Sequence, residues 1–104
     1  MQPFKVERQV SDRTVRILVR GELDMDTGPR LESELREVEA DEPAMLVLDL
    51  REVSFFDSTG LQLVLDADVR AREQGRRFVV LPGEGEPLRV LELADVVDRL
   101  QLQE

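Results

Sequence analysis

Two short, unbroken apolar runs, Met45-Leu46-Val47-Leu48 and Phe78-Val79-Val80-Leu81, do most to limit what this chain can fold into. A strand that alternates apolar and polar residues shows one face to water. A run without alternation is expected where a strand lies inside a sheet with both faces covered. The two runs are separated by a segment with helical spacing from about Ser58 to Gln74, and Gly75 stands where a helix would stop. Strand, helix and strand in that order close as a parallel pair with the helix as the crossover.

The flanking segments complete the pattern. Phe4, Val6 and Val10 share one parity, with Arg8 interrupting, and predict a first strand. Ser11-Asp12-Arg13 reads as a turn, and Val15, Ile17 and Val19 alternate with Arg16 and Arg20 as a second, half-buried strand, so the pair predicts a hairpin. Beyond Gly21-Glu22-Leu23-Asp24, Asp26 or Thr27 can cap a helix that carries Pro29 in its first turn. Leu31, Leu35 and Val38 recur at i, i+4 and i+7 and predict its buried face, with Glu32, Glu34, Glu37 and Glu39 coating the rest and Asp41-Glu42-Pro43 ending it. Pro87 opens a short helix through Leu93, and Val96 to Leu102 is either a helix end or an edge strand. The expected order is β-β-α-β-α-β-α with a possible short last strand. This is a single α/β domain over residues 1–104, with helices packed on a sheet made mixed by its opening hairpin.

Composition narrows the chemistry. The 104 residues contain no cysteine and no histidine, which excludes disulfides, thiolate metal sites and histidine-based hydrolysis. No cofactor loop is present: Gly83 and Gly85 lack the third glycine of a dinucleotide fingerprint, and Glu84 and Glu86 would repel phosphate. The formal charge of −9 argues against nucleic acid and anionic membranes and for a basic protein partner. No apolar run approaches the ~18–20 residues of a membrane span, and Met1 to Lys5 lack the pattern of a secretory signal, so a cytoplasmic location is expected.

The informative stretch is Val53-Ser54-Phe55-Phe56-Asp57-Ser58-Thr59-Gly60-Leu61, between a buried strand and a helix. Sites in parallel α/β folds gather at the C-terminal ends of strands. Ser58 is expected at the helix start with its hydroxyl facing water, where a phosphate would meet free backbone N–H groups and the positive end of the helix dipole. Taken alone, Asp57-Ser58-Thr59-Gly60 is also satisfied by a plain N-cap, and Gly21-Glu22-Leu23-Asp24 by a turn glycine with a capping aspartate.

Together, at this spacing, the two motifs and the strand Leu46-Val47-Leu48-Asp49-Leu50 between them resemble the STAS family, and most of all its free-standing anti-sigma-factor antagonists. The resemblance runs from about Val15 to Leu100. It implies that Ser58, which directly follows the motif aspartate, is phosphorylated by an anti-sigma factor with serine-kinase activity, built on the ATPase fold of histidine kinases. It implies further that the unphosphorylated form binds that factor and frees a sigma factor, that a serine phosphatase resets the switch, and that the free protein is a monomer. Thr59 is the second candidate for modification. No enzymatic activity, cofactor or metal is implied.

Asp24, Phe56, Asp57, Ser58, Thr59 and Gly60 are the candidate partner-binding residues. Leu63 and Ala67 join them as a possible apolar patch on the second helix, away from a core face of Leu61, Val64 and Leu65. Strand alternation sends one ring of Phe55-Phe56 inward and leaves the other near the surface, and both faces of the helix could equally be buried. The competing reading of a different class is a structural or ligand-sensing STAS protein that works in a larger complex without phosphorylation. An aspartate-phosphorylated receiver would need a lysine late in the chain, and the only lysine is Lys5. An enzyme would have to use carboxylates such as Asp24 and Asp57 to hold magnesium.

Overall fold

The structure, a computed structural model, describes residues 3–104. The strands are β1 (Lys5–Ser11), β2 (Thr14–Leu23), β3 (Met45–Phe56), β4 (Arg77–Leu81) and β5 (Gln101–Leu102). The helices are α1 (Gly28–Ala40), α2 (Ser58–Gln74) and α3 (Glu86–Leu93), and a single 3₁₀ turn at Val97–Arg99 precedes β5. The terminal segment left open by the sequence is therefore a turn followed by a short edge strand.

One five-stranded sheet runs in the order β1-β2-β3-β4-β5. The hairpin β1–β2 is antiparallel, and every later neighbour is parallel. Right-handed crossovers in a monotone order put α1, α2 and α3 on the same face. A single buried cluster agrees, joining Ile17, Leu48 and Val80 of the sheet to Leu35 of α1, Val64 of α2 and Leu91 of α3. Leu31, Leu35 and Val38 are the buried stripe of α1, as their spacing predicts. Gly75 takes the left-handed conformation at the end of α2 (φ 68°), and Asp95 does so after α3 (φ 59°).

Among the described residues the opposite face of the sheet carries no helix, which corrects the expectation of cover on both sides for the run Met45 to Leu48 but not for Phe78 to Leu81, whose four residues are all buried. Met45 and Val47 are half-exposed there. Ion pairs lie over this face instead of a second layer. Asp49 accepts from Arg16 at 2.6 Å and from Arg51 at 2.8 and 3.0 Å. Glu52 pairs with Arg20 at 3.2 Å, and Glu7 with Lys5 at 3.0 Å. The long arginine stems shelter apolar strand residues while their charged heads stay wet. Burial pushes the Asp49 carboxyl up, but hydrogen bonds from the Arg51 and Arg16 side chains and the Arg51 backbone outweigh it and hold it at about 2, below its ordinary 3.8.

Two further expectations change. Arg8 does not interrupt β1: it points to the helix side and donates to Glu34 of α1 at 2.7 Å, tying the edge strand down. Glu39 does not coat the surface of α1. It is 8% exposed and receives two hydrogen bonds from Arg70 of α2, at 2.7 and 2.9 Å. That bidentate pair bridges the two helices.

Register along β3 decides what reaches the functional end. Leu18 pairs with Asp49 but Arg20 with Glu52, and Gly21 pairs with Val53 but Glu22 with Phe55. Each shift inserts one residue into β3. As a result Leu50, Val53 and Phe56, three residues apart, all face the helices, whereas strict alternation would turn Val53 outward.

Candidate functional site

The last pair of the β2–β3 ladder is Leu23 with Phe56, so the Asp24 loop and the Asp57 cap leave the sheet side by side at its C-terminal end. Phe56 is 2% exposed. Directly over its ring lies Gly60: a Cβ on Gly60 would fall 2.6 Å from Phe56 Cε1 and 2.8 Å from Cδ1. The glycine of this motif is thus a packing requirement, because it lets the first turn of α2 seat on a rigid ring. The start of α1 closes in from the other side, where a Cβ on Gly28 would lie 2.8 Å from Thr59 Cγ2. Two helix N-termini therefore meet at this pole.

Asp57 caps α2. Its Oδ1 accepts the Thr59 N–H at 2.9 Å, and its carbonyl accepts the Leu61 N–H at 3.0 Å. Ser58 is the first residue of α2 and is exposed. Thr59 is half-buried, with its methyl against α1. Of the two hydroxyl residues, Ser58 is the one open to a macromolecular visitor.

The loop between β2 and α1 is knotted by its own side chains. Asp24 Oδ1 accepts the N–H groups of Asp26 (2.9 Å) and Thr27 (3.1 Å). The Thr27 hydroxyl donates to the Glu22 carbonyl at 2.7 Å and accepts the Asp24 N–H at 3.0 Å. Gly28 N–H donates to the Asp24 carbonyl at 2.7 Å. Thr27 occupies the N-cap position of α1 without capping it through its side chain. Asp24, a candidate for partner contact, has one carboxylate oxygen committed to holding this loop.

The structure brings Asp24, Asp57, Ser58 and Thr59 together and removes other candidates from the surface. Phe56 is sealed in the core, and Phe55 takes the outward place (41% exposed), because the second register shift cancels the first and returns Phe56 to the inward parity of Leu48 and Leu50. Gly60 is buried under α2. Leu63 and Ala67 are core residues and not a surface patch; they lie on the face of α2 that meets α1 and the sheet, while Leu61 and Leu65, expected inside, are only half-buried. The rotation follows from Gly60 seating on Phe56, which fixes the Gly60, Leu63, Val64, Ala67 and Ala71 stripe as the inner one. The sequence reading passed over Met25. It stands between two aspartates at the apex of the knotted loop and is 79% exposed.

The chemistry open to this pole is limited. No group of three or more carboxylate, imidazole or thiolate ligands is gathered for a metal among the described residues. Among the described residues no helix is long and apolar enough to cross a membrane. The exposed hydroxyl of Ser58 can receive a group from an outside donor.

A profile described as "Mlab, STAS domain" matches residues 6–103. The chain belongs to the STAS family. This STAS domain is 30% identical over 87 residues to the anti-sigma-B factor antagonist of Listeria monocytogenes, covering 84% of this chain and 76% of that protein. It is 29% identical over 102 residues to the anti-sigma-B factor antagonist of Staphylococcus aureus, covering 97% and 94%. The crystal structure of an anti-sigma factor antagonist from Mycobacterium paratuberculosis superposes with a TM-score of 0.87 at 29% identity, over 96% of this chain and 85% of that one. The order of elements and the mixed five-stranded sheet are those of the STAS fold.

Proposed function

We propose that this STAS domain is an anti-sigma-factor antagonist. It docks through the Asp24–Ser58 pole onto an anti-sigma factor that is also a serine kinase, and the docking releases a sigma factor. Transfer of phosphate from ATP to Ser58 Oγ, with loss of the hydroxyl proton, ends the contact, and a serine phosphatase restores it. The observation that carries this reading is the exposure of Ser58 as the first residue of α2, next to a cap that already orders the backbone around it. The similarity to antagonists of anti-sigma factors in three organisms supports it.

The physics of the switch is local. Phosphorylation adds about −1.5 to −2 charge at a pole that already holds Asp57 and Asp24. A partner surface packed over Ser58 must then take in a hydrated dianion. A coupling of ~1–3 kcal/mol, the usual allosteric range, weakens binding ~5–150-fold. In a titration with the partner kinase and ATP, Ser58→Ala keeps binding while Ser58→Asp binds poorly, and intact mass rises by one phosphate on the wild-type chain alone. Equal affinities of the two variants, with no gain in mass, would favour a structural or ligand-sensing STAS protein instead.

A further inference from the structure

Five large apolar side chains are exposed among the described residues: Val10, Met25, Phe55, Val69 and Leu93. Single exposed apolar residues need no explanation. Met25 and Phe55 differ from the rest because they share the pole that carries Ser58. Phe55 lies opposite Glu22 at the end of the β2–β3 ladder, just ahead of the Asp24 loop. Met25 rides on that loop, and the hydrogen bonds of Asp24 and Thr27 fix the backbone that displays it. A loop rigid before binding presents its side chain at little entropic cost. Methionine and phenylalanine suit the task, one adaptable in shape and the other large and flat.

The surroundings state what the partner must look like. Glu22, Asp24, Asp26 and Asp57 border the two side chains, and none forms an ion pair among the described residues. Elsewhere about half of the acidic side chains are matched, Glu34, Glu39, Asp49, Glu52, Asp68 and Glu86 each by an arginine, so what sets this pole apart is that its unmatched carboxylates surround two exposed apolar side chains. An apolar centre with an unmatched acidic border fits an apolar socket with a basic border.

We propose that Met25 and Phe55 are the apolar anchors of the docking surface, and that the anti-sigma factor receives them in a socket edged by lysine and arginine. This rests on the function proposed above and adds the residues that supply affinity and the chemistry of the surface they meet. It also gives the phosphate its leverage. The partner's basic groups face the fixed carboxylates at the border, and a phosphoryl group on Ser58 has to enter beside the anchors, where the contact excludes water.

The test uses the full chain. Each ATPase-type anti-sigma kinase encoded by the source organism is purified and titrated calorimetrically against the wild-type protein, and the one that binds is used for the variants. Met25→Ser and Phe55→Thr each weaken binding by about tenfold or more, the behaviour of buried anchors, while Val69→Ser and Leu93→Ser stay within about twofold. Glu22→Lys with Asp26→Lys weakens binding and flattens its dependence on salt. Thermal unfolding of every variant accompanies the titrations. Met25 stands in water, so Met25→Ser decides the matter alone if Phe55→Thr lowers the melting temperature. Affinities within twofold of wild type for Met25→Ser, with Ser58→Asp still defective, overturn the anchors and leave the phosphoserine switch standing. Weak binding by Met25→Ser, with Ser58→Asp and Ser58→Ala alike, supports the anchors and overturns the switch. Failure of every kinase to bind the wild-type chain overturns both.

Discussion

Replacing Gly60 by alanine should destabilise the domain, although it sits in a helix, where that exchange is ordinarily favourable. A glycine inside a helix costs up to ~1 kcal/mol relative to alanine, so on propensity alone Gly60→Ala would raise the melting temperature. The structure reverses the sign. The new Cβ would meet Phe56 Cε1 at 2.6 Å, Cδ1 at 2.8 Å and Cζ at 3.0 Å. Phe56 is 2% exposed and belongs to the central cluster, so its ring cannot swing away. Overpacking of this kind costs ~1–3 kcal/mol, and three sub-contact distances to a rigid ring argue for the upper end. After the gain in propensity the net loss is ~2 kcal/mol. With an unfolding entropy of roughly 2.1 cal/mol/K per residue, a chain of 104 residues loses about 9 °C in melting temperature. Circular dichroism on heating reads this directly. The same substitution in a Phe56→Leu background should be neutral or stabilising, because the ring edge is gone. If Gly60→Ala raises the melting temperature of the wild-type chain, the packing account of this glycine is refuted. The displaced first turn also carries Ser58, so partner affinity should fall along with stability.

Three other outcomes follow from named contacts. Asp57→Ala removes the acceptor for the Thr59 N–H and should cost ~0.5–2 kcal/mol in urea unfolding, while Asp57→Asn, which keeps an acceptor, should cost far less. Arg70→Met leaves Glu39 buried without its partner and should cost ~3–5 kcal/mol; adding Glu39→Gln should recover much of that in a double-mutant cycle. Asp49 titrates at about 2 in the folded chain against an ordinary 3.8, so its contribution of ~2 kcal/mol is full above about pH 4 and is lost as pH falls through about 2. The stability advantage of wild type over Asp49→Asn should accordingly shrink between pH 5 and pH 2; an advantage that stays flat across that range would refute the ion-pair assignment.

The element order was legible because each element declares itself locally: two apolar runs, one stripe of Leu31, Leu35 and Val38, and a stop signal at Gly75. The failures share one physical origin, which is that facing and burial are settled by contacts between elements, register among them. Nothing in Glu52-Val53-Ser54-Phe55-Phe56 alone announces two inserted residues; the shifts appear only where β3 runs beside β2. The first turns Val53 inward and the second restores the parity of Leu46, Leu48 and Leu50, so Phe56 is sealed inside as plain alternation from those residues already requires, and it sets the rotation of α2 through Gly60. Leu63 and Ala67, which helical spacing left equally open to burial or to the surface, are settled as core by the seating of Gly60 on Phe56, a contact between a helix and a strand that the spacing of neither reveals. Glu39 was assigned to solvent for a similar reason, since its partner Arg70 lies on another helix. Helical spacing finds a buried apolar stripe but cannot reveal a charge that is buried because it is paired.

The exposed place of Ser58 at the start of α2 was legible because it depends on local rules, a strand end followed by a cap, and the role proposed for it came from the family resemblance; Met25 was missed because its meaning depends on where the loop is fixed. The two aspartates of the motifs look like the chemical residues of the pole, and each has one carboxylate oxygen committed to shaping backbone: Asp57 to the first turn of α2, Asp24 to the loop before α1. That leaves the hydroxyl of Ser58 and the side chains of Met25 and Phe55 as the groups the scaffold holds out to a visitor. On the function proposed here, affinity and switch lie in different residues. The proposed anchors could then change to suit a new partner, while the cap at Asp57 and the glycine seated on Phe56 hold the backbone that carries Ser58.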